Sequence, residues 1–274
     1  MKTNILILSS FLAATLSARA VISVVNTSTY SQDFDSLASS GTGNAWLNDS
    51  TISGWYLFQQ AGGGTAIASY NAGDGSSSTG NFYSFGGADS GDRALGGVGS
   101  GGAYFGSPSS GSIAGWIAVS FVNSSGSTFS GFMADWNGEQ WRNGGNTSPQ
   151  TMVFEYGFGA TFGSVSTWHS PGGTFDWSSP VATSTAGAVD GNTAGLVTGV
   201  GGTINSLTWA NGETLWLRWV ERNDAGNDHG LAIDSFSFAA QVPTAIPVSG
   251  HTGLLLAIPL LGLFTLRRFA LRTF

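Results

Sequence analysis

Thr214-Leu215-Trp216-Leu217-Arg218-Trp219-Val220 sets Leu215, Leu217 and Trp219 at alternate positions, with Trp216 and Arg218 between them. Successive side chains of a strand point to opposite faces, so a period of two with a large apolar set marks a strand with one face turned inward. The run beginning at Ile113 repeats the pattern, with Ile117, Val119 and Phe121 on one face and Trp116, Ala118 and Ser120 on the other. Outward from these two segments, aromatic and β-branched runs recur at 54–58, 81–85, 132–136, 151–158 and 230–238, bounded by clusters of Gly, Ser, Asn and Asp. Short strands between turn-forming clusters predict an all-β antiparallel sandwich. No stretch between them carries ten residues of helical periodicity, and no repeat of 20–50 residues points to a propeller or solenoid. The glycine-rich segments 62–64, 74–79 and 96–102 read as loops inside one domain, because apolar strands resume after each.

Composition narrows the chemistry. Of the nine basic residues, four (Arg93, Arg142, Arg218 and Arg222) lie between the chain ends, against all 16 acidic residues, a formal net charge of −12 for that stretch. Phosphate binding needs clustered Lys and Arg, so no nucleic-acid partner is expected. Lys2 is the one lysine, and cysteine is absent. Schiff-base and P-loop lysines, thiol nucleophiles, disulfides and thiolate metal sites are therefore excluded. All ten Trp fall in the middle of the chain, a content foreign to disordered Gly/Ser linkers. Without disulfides the domain must rely on a large aromatic core.

The ends carry trafficking patterns. Lys2, the apolar run 5–16 and Ala18-Arg19-Ala20 match the charged, apolar and cleavage parts of a signal peptide over residues 1–20. The expected ectodomain is then 21–241. At the other end, Val242 and Pro243 precede the apolar stretch 252–266, and Arg267, Arg268 and Arg272 follow it. Fifteen residues at 1.5 Å each reach about 22 Å, short of a ~30 Å hydrocarbon core, but counting back towards Pro247 gives a span of about 247–266 that can cross. Arginines after the stretch favour a C-terminus on the cytoplasmic side and a domain outside.

This order of proline-containing motif, apolar helix and arginine cluster over 242–274 resembles the PEP-CTERM sorting signal, with Val242-Pro243-Thr244-Ala245 where that family carries Val-Pro-Glu-Pro. The resemblance implies an exosortase-type sorting enzyme as partner, a transient membrane anchor, and delivery to the outer surface or extracellular matrix. Asp33-Phe34-Asp35-Ser36-Leu37 near the start and Gly230-Leu231-Ala232-Ile233-Asp234-Ser235-Phe236-Ser237-Phe238 at the close resemble jelly-roll sandwiches of the carbohydrate-binding-module type. Together with 138–142 they are similar to ectodomains of PEP-CTERM proteins, which implies fold and location rather than chemistry.

Candidate sites follow from residue type. Asp224, Asn227 and Asp228 in the turn after Val220, with Asp234 on the next strand and Asp33 or Asp35 from the first, concentrate the oxygen ligands calcium prefers, although Asx and Gly clusters also build ordinary turns. Trp136 and Trp141 flank Asn137-Gly138, read as a turn, where exposed rings could form a glycan platform; Trp219 reads as core. His229 beside Asp228 lacks a G-x-S-x-G elbow and makes a poor triad, and the G-x-G-x-x-G of residues 97–102 has no helix after it. Glu139 and Glu155 are the carboxylates a glycosidase could pair, against a structural ion pair for either. The expectation is a non-catalytic exported β-sandwich, with no cofactor unless calcium, serving the cell envelope or an extracellular polysaccharide matrix. The alternatives are a carbohydrate-active hydrolase on the same fold and a free lectin.

Overall fold

The structure is a computed structural model and describes residues 21–88 and 90–243. The signal peptide (1–20), the apolar span at 247–266, and Arg267 and Arg268 lie outside the described residues. In chain order the strands are β1 (Ile22–Val24), β2 (Tyr30–Gln32), β3 (Asn44–Ala45), β4 (Trp55–Gln59), β5 (Thr65–Ala66), β6 (Ser69–Gly73), β7 (Asn81–Phe85), β8 (Ala94–Val98), β9 (Ser112–Asn123), β10 (Gly131–Asn143), β11 (Thr151–Phe158), β12 (Trp177–Ser178), β13 (Gly187–Ala188), β14 (Leu196–Ile204), β15 (Thr214–Asn223) and β16 (Gly230–Gln241).

They form two sheets. One has seven strands in the order β12-β11-β15-β9-β4-β5, with β1 on β9; the other has nine in the order β13-β10-β16-β8-β7-β6-β3, with β14 on β10 and β2 on β16. From β8 onward the chain crosses between sheets at β9, β10 and β11, and again at β13, β15 and β16. The sheets are mixed rather than purely antiparallel, because β1 runs parallel to β9 and β6 parallel to β7.

The alternating residues do what their period requires. Ile117, Val119 and Phe121 of β9 and Leu215, Leu217 and Trp219 of β15 face Phe132, Ala134 and Trp136 of β10 and Phe236 and Phe238 of β16 across one core. Phe121 stacks on Phe238 with centroids 3.9 Å apart. Each such side chain contributes roughly 1.5–3 kcal/mol by leaving water, so this layer supplies much of the driving force.

Glycine misleads in two places. Residues 96 and 97, expected in a loop, belong to β8: a Cβ at Gly96 would run into the Leu231 carbonyl of β16, and one at Gly97 into Glu221. Glycine there permits close approach rather than a turn. Likewise Asn137-Gly138 is no turn. β10 continues through it with a register shift, and Gly138 leaves room for the Trp177 ring lying on it. Among the described residues no helix is long and apolar enough to cross a membrane.

Candidate functional site

The outer face of the seven-stranded sheet is unexpectedly aromatic. Tyr56 and Phe58 of β4, Trp116 of β9, and Trp216 with Arg218 of β15 all point away from the core. The segment after β11 is laid across them. It is pinned where Tyr156 and His169 exchange backbone bonds of 3.0 and 2.8 Å, and where Trp216 Nε1 donates to Gly159 O at 2.9 Å. Phe162 from this segment stacks on Phe58 at 4.2 Å and tilts against Trp116 at 5.5 Å. Arg218 lies beneath Trp168, its guanidinium carbon 3.8 Å from the ring centroid, and pairs with Glu155 Oε2 at 2.5 Å.

Beside this cluster a recess of about 340 Å³ opens between Tyr56, Phe58, Phe162 and Trp216, with Asn48, Asp49 and Thr161 among its polar lining. Planar apolar surface with a few hydrogen-bonding side chains at its edge is the usual make-up of a small-ligand pocket. Aromatic residues on both faces of β4 and β15 were the available sequence signal, because outward-facing rings need a cover or a ligand.

The expected platform is corrected. Trp136 is 2% exposed, in the core between the sheets, because β10 runs on where a turn was expected. Trp141 is 3% exposed. It packs parallel to Phe85 at 6.2 Å, and Gly191 lies so close to its indole that a Cβ there would collide. Its Nε1 donates to Glu139 Oε2 at 2.9 Å.

Glu139 and Asp234 share the outer face of the nine-stranded sheet on neighbouring strands, with Asn137 opposite Asp234 and Ala232 opposite Glu139. Burial pushes Glu139 up to about 7, and the charges of Asp234, Asp92 and Asp190 add to the rise while the Trp141 bond opposes it. Burial likewise lifts Asp234 to about 6. Glu155 faces out from the other sheet in its ion pair, so Glu139 and Glu155 sit on opposite sides of the sandwich and cannot share a substrate.

The calcium set does not converge. Asp228 Oδ1 accepts the Asp224 N–H at 2.6 Å and closes the β15–β16 turn, while the Asn227 carbonyl accepts from Gln150 Nε2 at 2.9 Å. Asp234 lies six residues along β16 from Asp228, about 20 Å away at ~3.3 Å per residue. Asp35 Oδ1 accepts the Arg93 N–H at 2.9 Å, and Asp33 Oδ1 the Asp35 N–H at 3.2 Å. Among the described residues no three His, Cys, Asp or Glu side chains are grouped to hold a metal ion. His229 accepts the Gly144 N–H on Nδ1 at 3.0 Å, which places its proton on Nε2, 3.3 Å from the Ser148 carbonyl, a structural role. Val242 and Pro243 follow β16 on the exposed surface.

The chain matches no protein-family model and no curated protein. Among solved structures, the CBM22-1 xylan-binding domain of Xyn10C from Paenibacillus barcinonensis aligns with 12% identity and a TM-score of 0.38, covering 81% of this chain and 99% of that one.

Proposed function

We propose that this chain is an exported, non-catalytic β-sandwich that holds a polysaccharide in the aromatic recess of its seven-stranded sheet. The observation that carries the reading is the recess itself: the rings of Tyr56, Phe58, Phe162 and Trp216, 5%, 8%, 5% and 2% exposed, form an apolar floor that the C–H face of a pyranose can rest against, and Asn48, Asp49 and Thr161 line it with groups that can meet hydroxyls. Export and sorting rest on the two chain ends, with residues 1–20 as signal peptide, and Val242, Pro243 and the arginines at 267 and 268 as the sorting tail of a chain held in the membrane until an exosortase-type enzyme acts. The protein would then work at the cell surface or in the extracellular matrix. A glycan array probed with the protein tests the binding. Retention on neutral polysaccharides supports it, and uniform absence of retention rejects it.

A hydrolase is the second reading, favoured by one observation: Glu139 and Asp234 are diagonal neighbours on one face, and Glu139, raised to about 7, has the protonation a general acid needs, while Asp234 at about 6 would have to serve as the ionised partner. Against it, the two residues are 2% and 6% exposed, and Glu139 Oε2 is taken by Trp141 Nε1, which leaves little surface for a glycosidic bond to approach. Measured hydrolysis of any oligosaccharide that Glu139→Gln abolishes would reverse this preference.

A further inference from the structure

A second recess, of about 440 Å³, lies at the end of the sandwich by the β15–β16 turn, lined by Arg142, Ser78, Asn223, Asn227, Asp228 and glycine backbone. Arg142 distinguishes it. Its Nη1 donates to the carbonyls of Gly75 and Ser76 at 3.0 and 2.9 Å, and no carboxylate stands within ion-pair distance, the one ion pair among the described residues being Arg218–Glu155. Its Nε is buried without a partner. Nη1 is engaged by the two carbonyls and Nε is sealed from solvent, so Nη2, held in place by the same carbonyls, is the donor left for an anion in the recess. The same guanidinium disfavours a cation at this turn, which is a physical reason for Asp224, Asn227 and Asp228 not to serve calcium. Asp228 does not oppose an anion with a full charge, since burial pushes it up to about 7 against the opposing hydrogen bond from the Asp224 N–H.

We infer that this recess is a binding site for a carboxylated pyranose, a uronic acid unit of a polysaccharide, with Arg142 anchoring the carboxylate and Asn227 and Asp228 meeting the ring hydroxyls. A monoanion suits a single guanidinium in a domain of strongly negative net charge better than a phosphate dianion does, and the hydroxyl partners and the volume exceed what a bare carboxylate needs. The site shares no residue with the aromatic recess and goes beyond the function proposed for it, so either can fail alone.

Titration calorimetry on the full-length protein in detergent, with sodium glucuronate, glucose, sodium acetate and inorganic phosphate as probes, tests it. Glucuronate should bind at least about tenfold tighter than the other three, and added NaCl should weaken it. Arg142→Gln should bring glucuronate down to the level of glucose. Independently of any variant, glucuronate should shift the wild-type amide resonances of Gly99, Gly101, Gly144 and Gly226. Equal affinity for glucuronate and glucose, a preference that survives in a folded Arg142→Gln protein, or shifts confined to the aromatic recess would each overturn the assignment.

Discussion

Trp136 meets Trp219 edge to face across the two sheets, ring centroids 5.2 Å apart and planes at 89°. One comes from β10 and the other from β15, and Trp55 stacks on the far side of Trp219 at 5.7 Å. Edge-to-face pairs gain from the ring quadrupoles beyond area burial, so this contact helps fix how the sheets face each other. Trp136→Ala and Trp219→Ala should each cost ~3–5 kcal/mol in chemical denaturation. The double variant should lose less than the sum, because the residues touch. A Trp136→Ala protein as stable as wild type would place that ring outside the core.

Stability should fall as pH rises from about 4.5 to about 7. Glu139 has a folded value of about 7 against an ordinary 4.5. Between those values the folded state keeps a proton that the unfolded chain has released, so raising the pH favours unfolding. At 1.36 kcal/mol per unit the effect is on the order of 3 kcal/mol. Asp234 and Asp228 act in the same direction through their own raised values. Glu139→Gln keeps an acceptor for Trp141 Nε1 yet cannot ionise. Melts at pH 5 and pH 8 should differ less in that variant than in wild type.

Removing the partner of Arg218 should be costly. The guanidinium is largely buried between Trp116 and Trp168, and Glu155 neutralises it. Glu155→Ala leaves an uncompensated charge there and should destabilise by ~3 kcal/mol, near the low end for a broken buried pair because this one keeps some solvent contact. Replacing both residues together, Glu155→Val with Arg218→Met, should recover most of the loss in urea denaturation.

The end of β16 sets the minimum chain. The Gln241 carbonyl accepts the Ser130 N–H at 2.8 Å, and Gln241 pairs with Gly131. A chain ending at Gln241 should melt with the full-length protein, whereas one ending at Phe236 loses the core contacts of Phe238 and Ala240 and should not fold cooperatively.

What was legible in the sequence was whatever period and chemistry decide locally. The alternation placed Ile117, Val119 and Phe121 of β9 and Leu215, Leu217 and Trp219 of β15 in the core but missed Ala114 near the start of β9, and 81–85 and 151–158 are strands with those bounds. Glycine defeated the reading at residues 96–97 and at Gly138, since a close approach of two strands and a turn use the same residue. That error carried Trp136 from the core to a supposed surface. The aromatic recess was hidden for another reason. Phe162 arrives from a segment with no periodicity, and only the folded chain brings it against Phe58 and Trp216. Asp234 could not be separated from Asp224 and Asp228 by composition, because distance along an extended strand is what divides them.

Neutral glycan binding at the aromatic recess is tested most directly by comparing Phe58→Leu with wild type against the polysaccharide retained best on the array. Leucine keeps an apolar side chain on β4 but removes the flat ring. The expected result is a loss of affinity of roughly tenfold, about 1.4 kcal/mol, with the melting temperature lowered by no more than about 5 °C, since Phe58 is buried against Phe162, and with Trp141→Phe binding as wild type does. Undiminished affinity in Phe58→Leu, or loss in Trp141→Phe alone, would contradict a site on the seven-stranded sheet.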